Sequence, residues 1–250
     1  MAWKDQVVIV AGVGSGLGSA VVSALASEGA SVVGIARRAI HLEALETHAR
    51  ERGWRFRGVT ADLSDGKEVA SAVESIRTAS GRIDGVALTF GHWIDGPSRL
   101  DEMSPEQWSS GLADNLDPAF HVLHAVLPIM QRQRRGAVVL TSASEAVRRN
   151  GNASYAAAKA GLVELARKLA TDYRPHGIRV NVVLPGNMNS HASLEPPNPA
   201  IAAPLKKDIE TSAWEVARAI RFLLSEESRW VTGAELRVDG GAATGGDEAA

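Results

Sequence analysis

The chain has 250 residues, 45% of them apolar and 22% charged, with a formal net charge of −2. That composition fits one large α/β domain with a sizeable core and supplies no basic field for nucleic acid or an anionic membrane. The lack of cysteine removes disulfides, thiolate nucleophiles and thiolate metal sites, which fits a reducing, cytoplasmic setting, and no apolar run reaches the ~18 residues that span a bilayer.

Short β-branched runs alternate with longer amphipathic stretches. Residues 7–10 read as a strand rather than a leader, because the apolar stretch is short and Asp5 interrupts its flank. They run into Ala11-Gly12-Val13-Gly14-Ser15-Gly16-Leu17-Gly18 and a helical pattern over 17–27. A strand at 32–35 leads through Ala36-Arg37-Arg38 to a helix over 40–50. A weaker strand at 54–60 precedes Asp62-Leu63 and a helix over 67–79, started by Ser64 or Asp65. A strand at 86–88 is followed by one long helix over 105–133, opened by Ser104-Pro105. A strand at 138–141, a helix over 153–173, a strand at 180–184, a helix over 212–224 and a short strand at 236–238 complete the order.

Most of these strands are continuous apolar runs, the mark of strands covered on both faces. Their alternation with helices predicts a Rossmann-type doubly wound parallel sheet of about seven strands with helices on both faces, in a single domain over 1–250. The proline-rich stretch 196–204 forbids regular helix or central strand. It reads as part of a substrate loop at about 187–210, and 242–250 as a flexible tail.

Ligands of such sheets bind at the carboxyl ends of the strands, where a helix start offers free N–H groups to phosphate. Four glycines between the first strand and the first helix, spaced GxxxGxG at Gly12, Gly16 and Gly18, let a backbone approach a pyrophosphate. The next strand ends in Arg37 and Arg38, with no acid before Glu43. Guanidinium pairs a ribose 2′-phosphate, whereas NAD calls for a carboxylate there. NADP(H) is the expected cofactor, with NAD(H) left open.

Ser142 follows the strand at 138–141, and Tyr155 and Lys159 stand one helical turn apart thirteen and seventeen residues on. An ammonium beside a phenol, helped by a cationic nicotinamide ring, favours phenolate, so Tyr155 is expected to exchange a proton with a substrate oxygen that Ser142 holds.

With these motifs in order, the sequence resembles the short-chain dehydrogenase/reductases with a GxxxGxG turn and a YxxxK pair, from about Gln6 to Gly241. The resemblance implies cofactor contacts at Gly12, Ser15, Gly16, Leu17, Gly18, Arg37, Arg38, Asp62, Leu63, Phe90, Gly91, Tyr155 and Lys159. It adds Pro185, Gly186, Met188 and Ser190 from the segment beside the nicotinamide, where Ser190 stands for the family's threonine. It also implies that Asn115 kinks its helix and holds a water of the proton relay, that Val238-Asp239-Gly240-Gly241 ends the last strand, and that the chain forms a homotetramer or dimer.

Two departures concern one spot. The family has threonine where this chain has Ala11, and Asn-Asn-Ala-Gly where it has Leu88-Thr89-Phe90-Gly91. Loss of both polar partners suggests an apolar repacking. His92, Trp93, Ser144 and Met188 are candidate substrate-pocket residues, while Glu145 and Arg149 read as surface. His121 and His124 share a helix face without a third ligand, so no metal is expected. The expected reaction is hydride transfer between NADP(H) and a small ketone or secondary alcohol. The alternatives are reduction of a 3-oxoacyl thioester on an acyl carrier protein, docked on Arg132, Arg134 and Arg135, and a non-catalytic NADP(H) sensor or scaffold.

Overall fold

The computed structural model describes residues 3–93, 99–188, 191–195 and 210–241. Its strands are β1 (Val7–Ala11), β2 (Ser31–Ala36), β3 (Arg55–Thr60), β4 (Gly85–Leu88), β5 (Gly136–Thr141), β6 (Ile178–Pro185) and β7 (Glu235–Val238). Its α-helices are α1 (Leu17–Ala26), α2 (Ala39–Glu51), α3 (Gly66–Ser80), α4 (Pro105–Asn115), α5 (Asp117–Gln133), α6 (Glu145–Asn150), α7 (Ala153–Tyr173) and α8 (Ala213–Leu224).

The sheet runs β3-β2-β1-β4-β5-β6-β7, and every neighbouring pair is parallel. Alternate side chains of each strand feed two cores. Ile9, Ile35, Leu88 and Leu140 pack with α3, α5 and α7, while Val8, Val10, Ala87 and Val139 pack with α1, α2 and α8. β1 lies between β2 and β4, so the strand order reverses there and opens a crevice at the carboxyl ends. The helix faces around Leu123, Val126, Leu127, Met130 and Leu162 belong to the chain's own core, with Leu165 and Leu169 packed at its edge.

Both helix starts read from the sequence are capped. The Asp65 carboxylate accepts from the amides of Lys67 and Glu68, and Ser104 and Gln107 form a capping box, each such cap being worth about 1 kcal/mol. The long helix expected over 105–133 is instead two helices that share Leu116 as a cap. Pro118 stands in the first turn of α5, where no amide donor is needed, while Pro128 lies inside α5 without ending it. α6, capped by Ser144, is a helix that the sequence pattern did not indicate.

Candidate active site

A cavity of about 590 Å³ opens at the carboxyl ends of β1, β2 and β4. One wall is the turn from Gly12 to Gly18, whose amides at Gly12 and Val13 donate to the Ile35 carbonyl. Gly12 has φ +100°, and a Cβ there would lie 2.6 Å from the Phe90 nitrogen. A Cβ at Gly18 would lie 2.5 Å from the Gly12 oxygen, while above Gly14 the space is open. Gly16 caps α1 without a side-chain hydrogen bond, which leaves first-turn amides for an anion. This cradle fits a dinucleotide pyrophosphate.

Arg37, Arg38, Asp62 and Leu63 line the far end. Arg37 lies 3.8 Å from the Asp62 carboxylate, a solvated pair of little energetic weight. The hydroxyl and amide of Ser64 donate to Asp62 and, with help from Arg37, hold its carboxyl below the usual range. The Leu63 carbonyl is 2.9 Å from His121 Nδ1. His121 is therefore an anchor of this turn.

The expected apolar repacking is not what the structure holds. The Thr89 hydroxyl lies 3.1 Å from the carbonyls of Ala11 and Gly12 and donates to them, and the Thr89 amide donates to Ala11 at 2.8 Å. The polar tie is kept, with its hydroxyl on β4's end instead of β1's. Phe90 packs at the edge of the core.

The chemistry-bearing side chains sit at the carboxyl end of β5. Asn152 caps α7 by accepting from the Tyr155 amide at 2.9 Å, which sets Tyr155 and Lys159 one turn apart. Tyr155 is 8% exposed and Lys159 3%. The ammonium reaches the carbonyls of Thr141 at 3.4 Å and Phe90 at 3.5 Å, and it lies 5.8 Å from the Tyr155 ring centre. A Cβ at Gly91 would stand 2.7 Å from that ammonium, and one at Gly151 2.6 Å from the Tyr155 ring. Both glycines are places where the backbone makes room. The Ser142 hydroxyl donates to the Lys159 carbonyl at 2.6 Å.

Burial pushes the Tyr155 phenol above its usual 10.0. Burial also lowers Lys159 from 10.5 to about 8. Within the protein alone, desolvation governs both groups, and Tyr155 is held as the protonated acid.

A family profile described as "Enoyl-(Acyl carrier protein) reductase" matches residues 12–243. The 3-oxoacyl-(acyl-carrier-protein) reductase FabG of Escherichia coli K12 is 31% identical over 245 residues, spanning 96% of this chain and 98% of the relative. The chain belongs to the short-chain dehydrogenase/reductase family. Levodione reductase of Leifsonia aquatica is 35% identical, over 96% of this chain and 94% of its own. A short-chain dehydrogenase/reductase structure from Burkholderia xenovorans superposes with a TM-score of 0.86 at 30% identity, covering 98% of this chain and 99% of that one. The chain is thus an enzyme that acts on CH–OH and C=O groups, and the sensor or scaffold alternative is set aside.

The remaining predicted residues divide. Asn115 is fully buried where α4 ends, accepts from the His92 amide at 3.0 Å and donates to the carbonyls of His92 and Gly111. Its side chain is engaged in fixing the loop after β4. Trp93, 47% exposed, lays its ring 5.1 Å from that of Tyr155. Met188 lines the cavity and bridges to Thr211. Ser144 does not face a pocket: it is fully buried and its hydroxyl accepts from Val147 as the cap of α6. Pro185 and Gly186 end β6, where Pro185 accepts from the Ser144 amide and Gly186 donates to Val238. Glu145 and Arg149 pair on the surface of α6. Ser190, most of the expected substrate loop and the tail from 242 lie outside the described residues. Thr89 and His41 line the cavity without having been singled out. His41 stands three residues after Arg38 and Thr89 directly before Phe90, but neither belongs to a motif of the pattern.

No helix among the described residues is long and apolar enough to cross a membrane.

Proposed function

We propose that this enzyme reduces a carbonyl to a secondary alcohol with NADPH, Tyr155 supplying the proton. The observation that carries the reading is the buried Ser142, Tyr155 and Lys159 group at the end of β5, set against the glycine-cradled crevice through Phe90 and Gly91. When bound, the nicotinamide supplies the hydride that goes to the carbonyl carbon. Electron density then collects on the substrate oxygen, which takes the Tyr155 proton. Burial suits that phenol to the task, since it keeps the acid form. Lys159, charged below about 8, stabilises the phenolate left behind. Ser142 turns its hydroxyl from the Lys159 carbonyl to the substrate oxygen, exchanging one hydrogen bond for another of similar worth, about 1 kcal/mol. Trp93 shields the tyrosine from water.

Arg37 and Arg38 support NADPH over NADH, because a 2′-phosphate pairs with guanidinium. For the substrate, the relatives favour a 3-oxoacyl thioester over the simple ketone preferred from the sequence. A compact cyclic ketone is the second reading, favoured by the levodione reductase likeness. The basic cluster does not front this site. Arg134 and Arg135 precede Gly136 at the amino end of β5, while Ser142 follows its carboxyl end, about 20 Å of strand away. Arg135 is moreover paired with Glu226. A carrier protein serving this chain's own site docks elsewhere. Self-association into a tetramer or dimer would cover the exposed Phe120 on α5 and Trp230 ahead of β7, and the cysteine-free chain suits the cytoplasm.

Turnover on an acetoacetyl thioester and on cyclic ketones, each with NADPH and NADH, tests the assignment. Tyr155→Phe is expected to lose about 10²-fold or more in kcat with NADPH binding intact. Full activity in that variant refutes the role of Tyr155, and faster turnover of cyclic ketones replaces the thioester with the second reading.

A further inference from the structure

α2 begins directly after the arginine pair. Arg38 is its N-cap and makes no side-chain cap hydrogen bond, and the first turn contains no acid. His41 is the third helical residue and lines the same crevice as Arg37 and Arg38. Its Nε2 is shielded from solvent and has no hydrogen-bond partner among the described residues. Such a nitrogen costs free energy for as long as nothing pairs with it. Neighbouring polar groups are already engaged: Asp62 accepts from Ser64 and faces Arg37. Among the described residues His41 Nε2 is a shielded polar atom at this end of the crevice that nothing yet engages.

Resting on the NADP(H) reading above, we infer that His41 is a specificity-determining residue, donating a hydrogen bond to the 2′-phosphate of the cofactor's adenosine. Three kinds of donor then converge on one dianion: the guanidiniums of Arg37 and Arg38, the first-turn amides of α2 and the His41 imidazole. The phosphate is chosen over a bare ribose hydroxyl by charge. An uncapped helix start beside two arginines, with no acid in the turn, is left uncompensated by a neutral hydroxyl. The ring lines the crevice while Nε2 is tucked against the protein, so rotation about the Cβ–Cγ bond presents it to the ligand. A ring nitrogen carrying hydrogen donates to a phosphate oxygen, a charge-assisted bond stronger than a neutral one.

The test is calorimetric titration with adenosine 2′,5′-bisphosphate and with 5′-AMP, which differ only in the 2′-phosphate. Wild type is expected to prefer the bisphosphate. His41→Leu is expected to weaken bisphosphate binding about tenfold or more while leaving 5′-AMP within about twofold, and His41→Gln, which keeps a donor, to recover part of the loss. Thermal melts accompany each variant, and His41→Ala reads the same ratio if the leucine variant does not fold. Equal losses for the two ligands, or no loss, overturn the role of His41. The two possible failures are distinct. A wild type that binds both ligands equally overturns the NADP(H) reading and His41 with it, whereas a wild type that discriminates alongside a His41→Leu variant that discriminates equally overturns His41 alone.

Discussion

Lys159→Met exchanges a buried ammonium for an apolar side chain of similar length, and the structure sets the size and sign of the effect. Lys159 is 3% exposed, and burial takes its pKa from 10.5 to about 8. That fall corresponds to about 3 kcal/mol by which the fold disfavours the cation. Because the folded value is the lower one, the unfolded chain binds the extra proton between pH 8 and 10.5. Wild-type stability therefore rises with pH across that window, and below it the full cost of the buried charge is present. Against this, methionine gives up the two long contacts to the Thr141 and Phe90 carbonyls, together worth about 1 kcal/mol. The variant should be about 2 kcal/mol more stable than wild type at neutral pH. The advantage should vanish and reverse above pH 10.5, while carbonyl reduction is lost throughout. Urea denaturation of both proteins at neutral and alkaline pH, at one protein concentration, measures the difference, in which all other titrating groups cancel. A variant less stable than wild type at neutral pH, or a stability gap that does not change with pH, refutes the reasoning.

Thr89→Val removes the hydroxyl that ties the Ala11 and Gly12 carbonyls to β4. It should cost about 1 kcal/mol and several-fold in NADPH affinity, read by a melt and a fluorescence titration; unchanged affinity would show that the tie does not shape the turn. Gly91→Ala places a methyl 2.7 Å from the Lys159 ammonium, so kcat should fall at least tenfold, roughly the effect of one misplaced group, with cofactor binding retained. Undiminished kcat there means that the ammonium tolerates displacement. Because burial raises the Tyr155 phenol, alcohol oxidation, which needs phenolate, should keep climbing towards alkaline pH while reduction does not. A pH-independent ratio of the two rates would show that another group governs proton transfer.

The strands and their succession along the chain were legible because burial on both sides leaves a mark on sequence. All five residues of β1 and all six of β5 are buried; β1 is an unbroken apolar run and β5 is one as far as Leu140. β3 sits at the sheet edge with alternating exposure, which is why its signal was weaker. Apolar periodicity continues through Leu116 and hides the break; only the resemblance, through Asn115, pointed to a kink there, and proline is an uncertain clue, since Pro118 stands in the first turn of α5 while Pro128 lies inside it without ending it. α6 spans six residues, too few for a period to register. Ser144 was misjudged for a related reason. A serine that caps a helix and a serine that serves a reaction are identical in sequence, and here both are buried: what separates them is that the Ser144 hydroxyl accepts from Val147 at the start of α6, whereas the Ser142 hydroxyl donates to the Lys159 carbonyl.

The departures from the family pattern show what sequence could not resolve at the cofactor site. Ala11 and Leu88-Thr89-Phe90 read as lost polar groups because each position is compared with its own counterpart. In space, Ala11 and Thr89 are adjacent strand ends, so a hydroxyl can move from one to the other and still bind the same turn. Phe90 follows similar logic. It is the backbone nitrogen of Phe90 that crowds Gly12, and its backbone oxygen that lies near the Lys159 ammonium. Its ring packs at the core's edge. The constraint at this position therefore falls on main-chain geometry, which a phenylalanine satisfies as well as an alanine. At Gly91 the same constraint falls on the side chain itself, since any Cβ there meets Lys159. A residue free to change its side chain and one whose side chain would displace the ammonium thus stand side by side, and their difference lies in which of their atoms the site uses.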